Sequence, residues 1–200
     1  RESFLKDQVF SVEGQHRWNN ALLSRGEFAY DESAAAFTTG TQYSGDNHDI
    51  TINFRDLESD FTTVTSLPSN RGEVGGSIFW GWRLSGADIS THLDLYRERF
   101  LPNPEEEDAL NVDFSTDVDI PLSTTDRFRT SLYYTDTSGE LSPRNNERLN
   151  TAYTKHFRLG ERDMSAFVGF TQQRSRFELS PASEFDRYAA STGFTIPLLK

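Results

Sequence analysis

The chain has no cysteine among its 200 residues. That excludes disulfide scaffolds, zinc ribbons and thiol nucleophiles. No run approaches the ~18 consecutive apolar residues of a transmembrane helix. Apolar residues are scarce throughout, at 35% with tyrosine counted, against roughly 45–50% in an ordinary globular chain on a similar count. So few cannot easily fill a thick two-sided core. Bases are the minority charge, with Lys+Arg 20 against Asp+Glu 31 and a net charge of -11. A nucleic-acid partner is not expected, because phosphates call for a positive patch. Disorder would explain the low apolar share, but 16 Phe, 7 Tyr and 3 Trp speak against it, since disordered segments are depleted in aromatics. The chain opens at Arg1 without a charged-then-apolar leader, which reads as a mature chain or a piece of a longer one.

What is present is a period of two. Val74, Gly76, Ile78, Trp80, Trp82 and Leu84 alternate with Gly75, Ser77, Phe79, Gly81 and Arg83. Ile89, Thr91, Leu93 and Leu95 alternate with Ser90, His92, Asp94 and Tyr96. The cleanest run is Leu110, Val112, Phe114, Thr116, Val118, Ile120 and Leu122, opposed by Asn111, Asp113, Ser115, Asp117, Asp119 and Pro121. Phe128, Thr130, Leu132 and Tyr134 follow, against Arg127, Arg129, Ser131 and Tyr133. Met164 to Phe170 and Tyr188 to Leu198 repeat the pattern, and the first third follows it more noisily, as at Ile50, Ile52 and Phe54. Strict alternation predicts strands with one apolar and one polar face. About twelve are expected on ordinary strand-plus-turn spacing, with Phe61 to Leu67 among them. The connectors of the second half alternate tight and long, as in an antiparallel up-and-down meander. Asn103-Pro104 and Ser180-Pro181 have the chemistry of short helical turns within the long ones. Residues 1–200 read as a single all-β domain.

Half-apolar strands fit two settings. One is a soluble sheet packed on a core. The other is a barrel with lipid outside and a wet lumen inside. Three features favour the barrel. The runs from Val74, Leu110 and Tyr188 reach the ~9–11 residues that cross a bilayer at a tilt, beyond the ~5–6 usual for soluble strands. The polar faces carry both charge signs deep in the strands: Arg25, Glu27, Arg55, Arg83, Asp94, Asp113, Asp117, Arg127 and Arg129. Aromatics gather near run ends, at Trp18, Tyr30, Tyr43, Trp80, Trp82, Tyr133, Tyr134 and Tyr188, where interfacial girdles lie.

The tract from Asn111 to Tyr134 runs strand, Ile120-Pro121-Leu122, Ser-Thr-Thr-Asp turn, strand, and Gly193-Phe194-Thr195-Ile196-Pro197-Leu198 repeats the Ile-Pro-Leu step. In this it resembles the inner-rim turns of Gram-negative outer-membrane β-barrels, over most of Gly72 to Leu198. Such barrels include porins, polysaccharide exporters, fimbrial ushers and the sheaths of porin–cytochrome conduits. The resemblance implies a passage or sheath in the outer membrane, in contact with lipid and lipopolysaccharide, with a lumen that takes solute, polymer or a protein partner. It implies no cofactor. These barrels end on an aromatic, whereas this chain ends Leu198-Leu199-Lys200, so a segment of a longer barrel is expected.

On that reading Arg83, His92, Asp94, Asn111, Asp113, Asp117, Asp119, Arg127 and Arg129 line the lumen. Ile78, Trp80, Trp82, Leu93, Val112, Phe114, Val118, Phe128, Leu132, Val168, Phe170 and Phe194 face the membrane. Asn111, Asp113, Asp117 and Asp119 read as a solvated acidic stripe and not a metal site, because same-face neighbours on a strand stand ~6.6 Å apart. Arg127 and Arg129 are expected to pair with Asp117 and Asp119 across a hairpin. His16, His48, His92 and His156 have no serine in a glycine elbow to serve, so catalysis is not expected. The rival reading is a soluble secreted β protein that binds carbohydrate through exposed aromatics, with Trp80 and Trp82 as core or platform.

Overall fold

The computed structural model describes residues 9–31, 34–58, 61, 71–100, 109–139 and 143–196. These form one sheet of 11 strands in sequence order, every neighbouring pair antiparallel. The strands are β1 (Phe10–Arg17), β2 (Leu22–Tyr30), β3 (Ala35–Ser44), β4 (His48–Leu57), β5 (Arg71–Leu84), β6 (Ala87–Phe100), β7 (Leu110–Pro121), β8 (Asp126–Ser138), β9 (Arg144–Leu159), β10 (Arg162–Phe177) and β11 (Phe185–Thr195). The twelfth expected strand, Phe61 to Leu67, falls outside the described residues apart from Phe61, and β4 pairs directly with β5. The Asn103-Pro104 turn also lies outside them. Ser180-Pro181 does open a single 3-10 turn, Pro181–Ser183.

Turn chemistry sets the register. β5 and β6 are joined by Ser85 and Gly86 alone, β9 and β10 by Gly160 and Glu161. Two-residue hairpins need positive φ to match strand twist, and Gly86 (φ +134°) and Gly160 (φ +64°) supply it. The β7–β8 turn uses side chains instead. Ser123 Oγ donates to Asp126 Oδ2 at 2.6 Å and accepts the backbone N–H groups of Thr125 and Asp126 at 3.1 and 3.0 Å. Hydrogen bonds from Ser123, Tyr153 and Thr125 hold the Asp126 carboxyl, at this turn, well below the usual carboxylate range.

The register carries one face across all strands without a break. Val112 sits opposite Leu95, Phe114 opposite Leu93 and Tyr134, and Val118 opposite Ile89 and Thr130. Ile78 sits opposite Leu93 and Ile52, and Val168 opposite Tyr153 and Thr192. All twelve side chains expected to share the apolar face do so.

Among the described residues no second layer covers that face. Each strand packs only on its sequence neighbours among the described residues. Among the described residues the buried hydrophobic ones are three alanines, Ala29, Ala34 and Ala36, and no large side chain is fully buried. Ile52 and Val168 are each 51% exposed mid-strand. A soluble sheet of this size would bury such residues at ~1.5–3 kcal/mol apiece. Val112, Phe114 and Val118 are half-buried by sheet neighbours alone.

On β8 and β9 the apolar face is a band with charged margins. Asp126 and Asp136 bound it on β8, and Glu147 and Lys155 on β9, with residues such as Phe128, Leu132, Leu149 and Tyr153 between. Aromatics mark both margins. Trp18, Tyr43, Trp80 and Trp82 lie toward the short turns; Tyr30, Tyr134 and Tyr188 lie toward the long connectors. The Trp80 and Trp82 rings stack with centroids 5.6 Å apart. Tyr133 is a correction to the expected girdle. It faces Ser115 and Arg148, so it belongs to the polar face.

Candidate functional site: the polar concave face

The opposite face curls around a concavity of about 810 Å³, lined from Asp49 on β4 through Ser90, Asp117, Ser131 and Asn150 to Ser191 on β11. Strands so far apart in a serial sheet share one space only if the sheet is strongly curved, polar side inward. The nine residues expected on a lumen surface all lie on this face. Asn111 is there but is itself buried, 5% exposed, with its Oδ1 accepting from Thr137 Oγ1 at 2.8 Å.

Three ion-pair groups organise the face. Arg127 Nε and Arg129 Nε reach the two oxygens of Asp119 at 2.5 and 2.8 Å. The hairpin ladder thus forms as expected at Asp119. It does not include Asp117, which stands opposite Ser131 and Ser90. Arg83 Nη1 binds Asp49 Oδ2 at 2.6 Å, and its Nη2 donates to the Gly45 carbonyl at 3.0 Å. The third group centres on Arg55. Its Nη1 and Nη2 clasp the Asp94 carboxylate at 2.9 and 3.1 Å, Nε pairs with Glu73, and the guanidinium lies 5.1 Å from the Tyr96 ring centroid. A bidentate, stacked arginine is pre-organised as a lysine would not be.

The charges are sorted by strand. Asp88, Asp94 and Glu98 on β6 and Asp113, Asp117 and Asp119 on β7 give one acidic flank. Arg127 and Arg129 on β8, Arg144, Arg148 and Arg158 on β9, and Arg187 on β11 give a basic one. Acids and bases on this face come close to balance. The acid excess lies largely in the connectors, as at Glu105, Glu106, Glu107 and Asp108.

Sequence reading placed Arg55 among the deep charges but not in the site, and omitted Arg148. Arg148 follows from continuing the alternation one residue before Leu149. Arg55 needed the register, since its partners lie on two other strands. Two further residues break the pattern. Phe79 and Phe167 point to the polar face, 40% and 42% exposed, and both line the concavity. Among the described residues no three His, Asp or Glu side chains are grouped to hold a metal ion.

No family model and no curated protein matches the chain in sequence. Among solved structures the chain is similar to the anion-selective porin from Comamonas acidovorans, with a TM-score of 0.56 and 10% sequence identity over 93% of this chain. The chain spans 57% of that protein's length. At this identity the likeness is one of fold.

Proposed function

We propose that this chain is part of the wall of an outer-membrane β-barrel in a Gram-negative cell, and that the barrel is a passage. The observation that carries this reading is the exposed apolar face. Hydrocarbon is the environment in which uncovered Ile52, Val168 and Phe194 cost nothing, and serial antiparallel pairing satisfies the backbone there. The polar concavity is then the lumen, and the outer face meets lipid and lipopolysaccharide. The eleven alternating strands of the described residues leave β1 and β11 running the same way, so a fully antiparallel barrel takes an odd number of strands beyond these. We therefore read residues 1–200 as a segment of a longer barrel. A lumen widened by those strands has room for solute, a polymer or a protein plug.

The mechanism is physical, with no bond made or broken. The acidic flank on β6–β7 and the basic flank on β8–β9 set a transverse field that orients dipolar solutes. The acidic connectors draw cations to the mouth. The anion selectivity named for the structural neighbour is not transferred, because at 10% identity its charged residues have no assigned counterparts here.

Cysteine scanning tests the proposal on a segment with no cysteine of its own. Val118→Cys and Val168→Cys in outer-membrane vesicles should resist a charged, water-soluble maleimide, and Asp117→Cys and Ser131→Cys should react. Equal labelling of all four would overturn the lipid–lumen assignment. In a bilayer under a KCl gradient, the reversal potential should show cation preference.

A further inference from the structure

Phe79 and Phe167 are the two polar-face phenylalanines that line the concavity, and an aromatic ring bared to water beside charges is unfavourable unless something covers it. The Phe167 ring rests on glycine. Phe167 sits opposite Gly193, and its ring fills the place a Cβ at position 193 would take, with Cζ 2.7 Å from that point. Phe79 folds toward Gly81, where a Cβ would lie 3.5 Å from its Cε1.

The wall between the rings carries a charged row, Arg83, Asp88, Asp119 and Arg129, and beside it a hydroxyl-rich one. Gly81, Ser90, Asp117, Ser131, Asn150 and Thr171 form one register row across six strands. Asn150 is fixed within it, donating Nδ2–H to Ser131 Oγ at 3.3 Å and accepting from Thr171 Oγ1 at 3.0 Å. The nearby cations are engaged, Arg129 by Asp119 and Arg83 by Asp49. Asp117 and Asp88 are exposed and line the same cavity. The site therefore offers apolar rings, hydroxyl and amide partners and two carboxylates.

We infer that this concavity is a saccharide subsite within the passage. A pyranose has a C–H face that lies on an aromatic ring and a rim of hydroxyls that pair with amide, hydroxyl and carboxylate groups. A concavity of about 810 Å³ admits a disaccharide. Phe79 and Phe167 would take the ring faces, and Asp117 and Asn150 the hydroxyls. This inference rests on the polar face being a lumen.

The test is current through the full-length protein reconstituted in planar bilayers, with sucrose as probe and glycerol at matched viscosity as the hydroxylated compound without a ring face. Sucrose should reduce the KCl current saturably, and glycerol only in proportion to viscosity. Phe79→Ser and Phe167→Ser should each raise the half-saturating concentration about five- to tenfold, the worth of one aromatic contact. Phe79→Tyr and Phe167→Tyr should restore it, and Leu179→Ser in the β10–β11 connector should leave it alone. Heat-modifiable gel migration confirms that each variant folds. A current that tracks viscosity alike for both solutes, or serine variants that match the parent, would overturn the subsite. If the folded protein carries no current, the passage reading fails, and saturation-transfer NMR of sucrose on the detergent-solubilised variants decides the subsite separately.

Discussion

Asp94 on β6 and Asp113 on β7 stand directly opposite each other, and the Arg55 guanidinium clasps only Asp94. Like charges in register repel, by roughly 0.2–1 kcal/mol for a cross-strand pair. Asp113→Asn should therefore stabilise the wall by a few tenths of a kcal/mol. Asp94→Asn should destabilise it by about 1 kcal/mol, since it weakens a charge-assisted bidentate contact. Urea midpoints for the loss of the fast-migrating folded band separate the two. A shift of the same sign for both would contradict the asymmetry.

The apolar band should reject charge according to depth. Val168→Arg, at the middle of β10, should cost ~2–4 kcal/mol, the value for arginine at a bilayer midplane. Ser131→Arg, on the other face, should fold normally. Folded yield in outer-membrane preparations reads the difference, and equal yields would remove the ground for a lipid-facing surface.

Trp80 and Trp82 stack at the short-turn margin. Lipids brominated near the headgroup should quench their emission strongly, and aqueous acrylamide weakly. Trp80→Phe and Trp82→Phe should each remove part of the lipid quenching. Trp80→Ala should also lower stability by ~0.5–1.5 kcal/mol through lost ring contact, beyond the lost buried area.

Gly75 marks a close approach of β5 to β6. A Cβ there would meet the Leu95 carbonyl oxygen and lie 2.6 Å from Tyr96 Cα, both backbone atoms. Gly75→Ala should lower stability by ~1–3 kcal/mol, the cost of overpacking. Gly14→Ala, where nothing lies within 4 Å, should be neutral or slightly stabilising. Thermal migration shifts of the two variants provide the comparison.

The faces of this wall were legible from sequence because a strand gives each side chain one of two directions. Val112 and Asp113 cannot share a side, and antiparallel pairing carries that choice to every neighbour. Contacts between strands were legible only where a short turn fixed the register. Arg127 and Arg129 meet Asp119 across a four-residue turn, whereas Arg55 meets Asp94 only through the stagger of β4, β5 and β6 together. Tyr133 was assigned to a girdle by residue type, although its parity with Arg129 and Ser131 places it on the polar side. Phe79 and Phe167 have the parity of the polar face, but nothing in the alternation singled them out. Their meaning appeared only with Gly193 and Gly81 beside them.

The charged margins on β9 also act as a gauge of thickness. Glu147 and Lys155 are eight positions apart, about 27 Å along a strand, and near 20 Å measured vertically at the usual tilt of roughly 40°. A bilayer much deeper than that would have to drown one charge or thin itself around the rim, at fractions of a kcal/mol per Å. Such a wall would sort itself into shallow membranes, and in synthetic vesicles of graded acyl length it should insert best into the shortest chains.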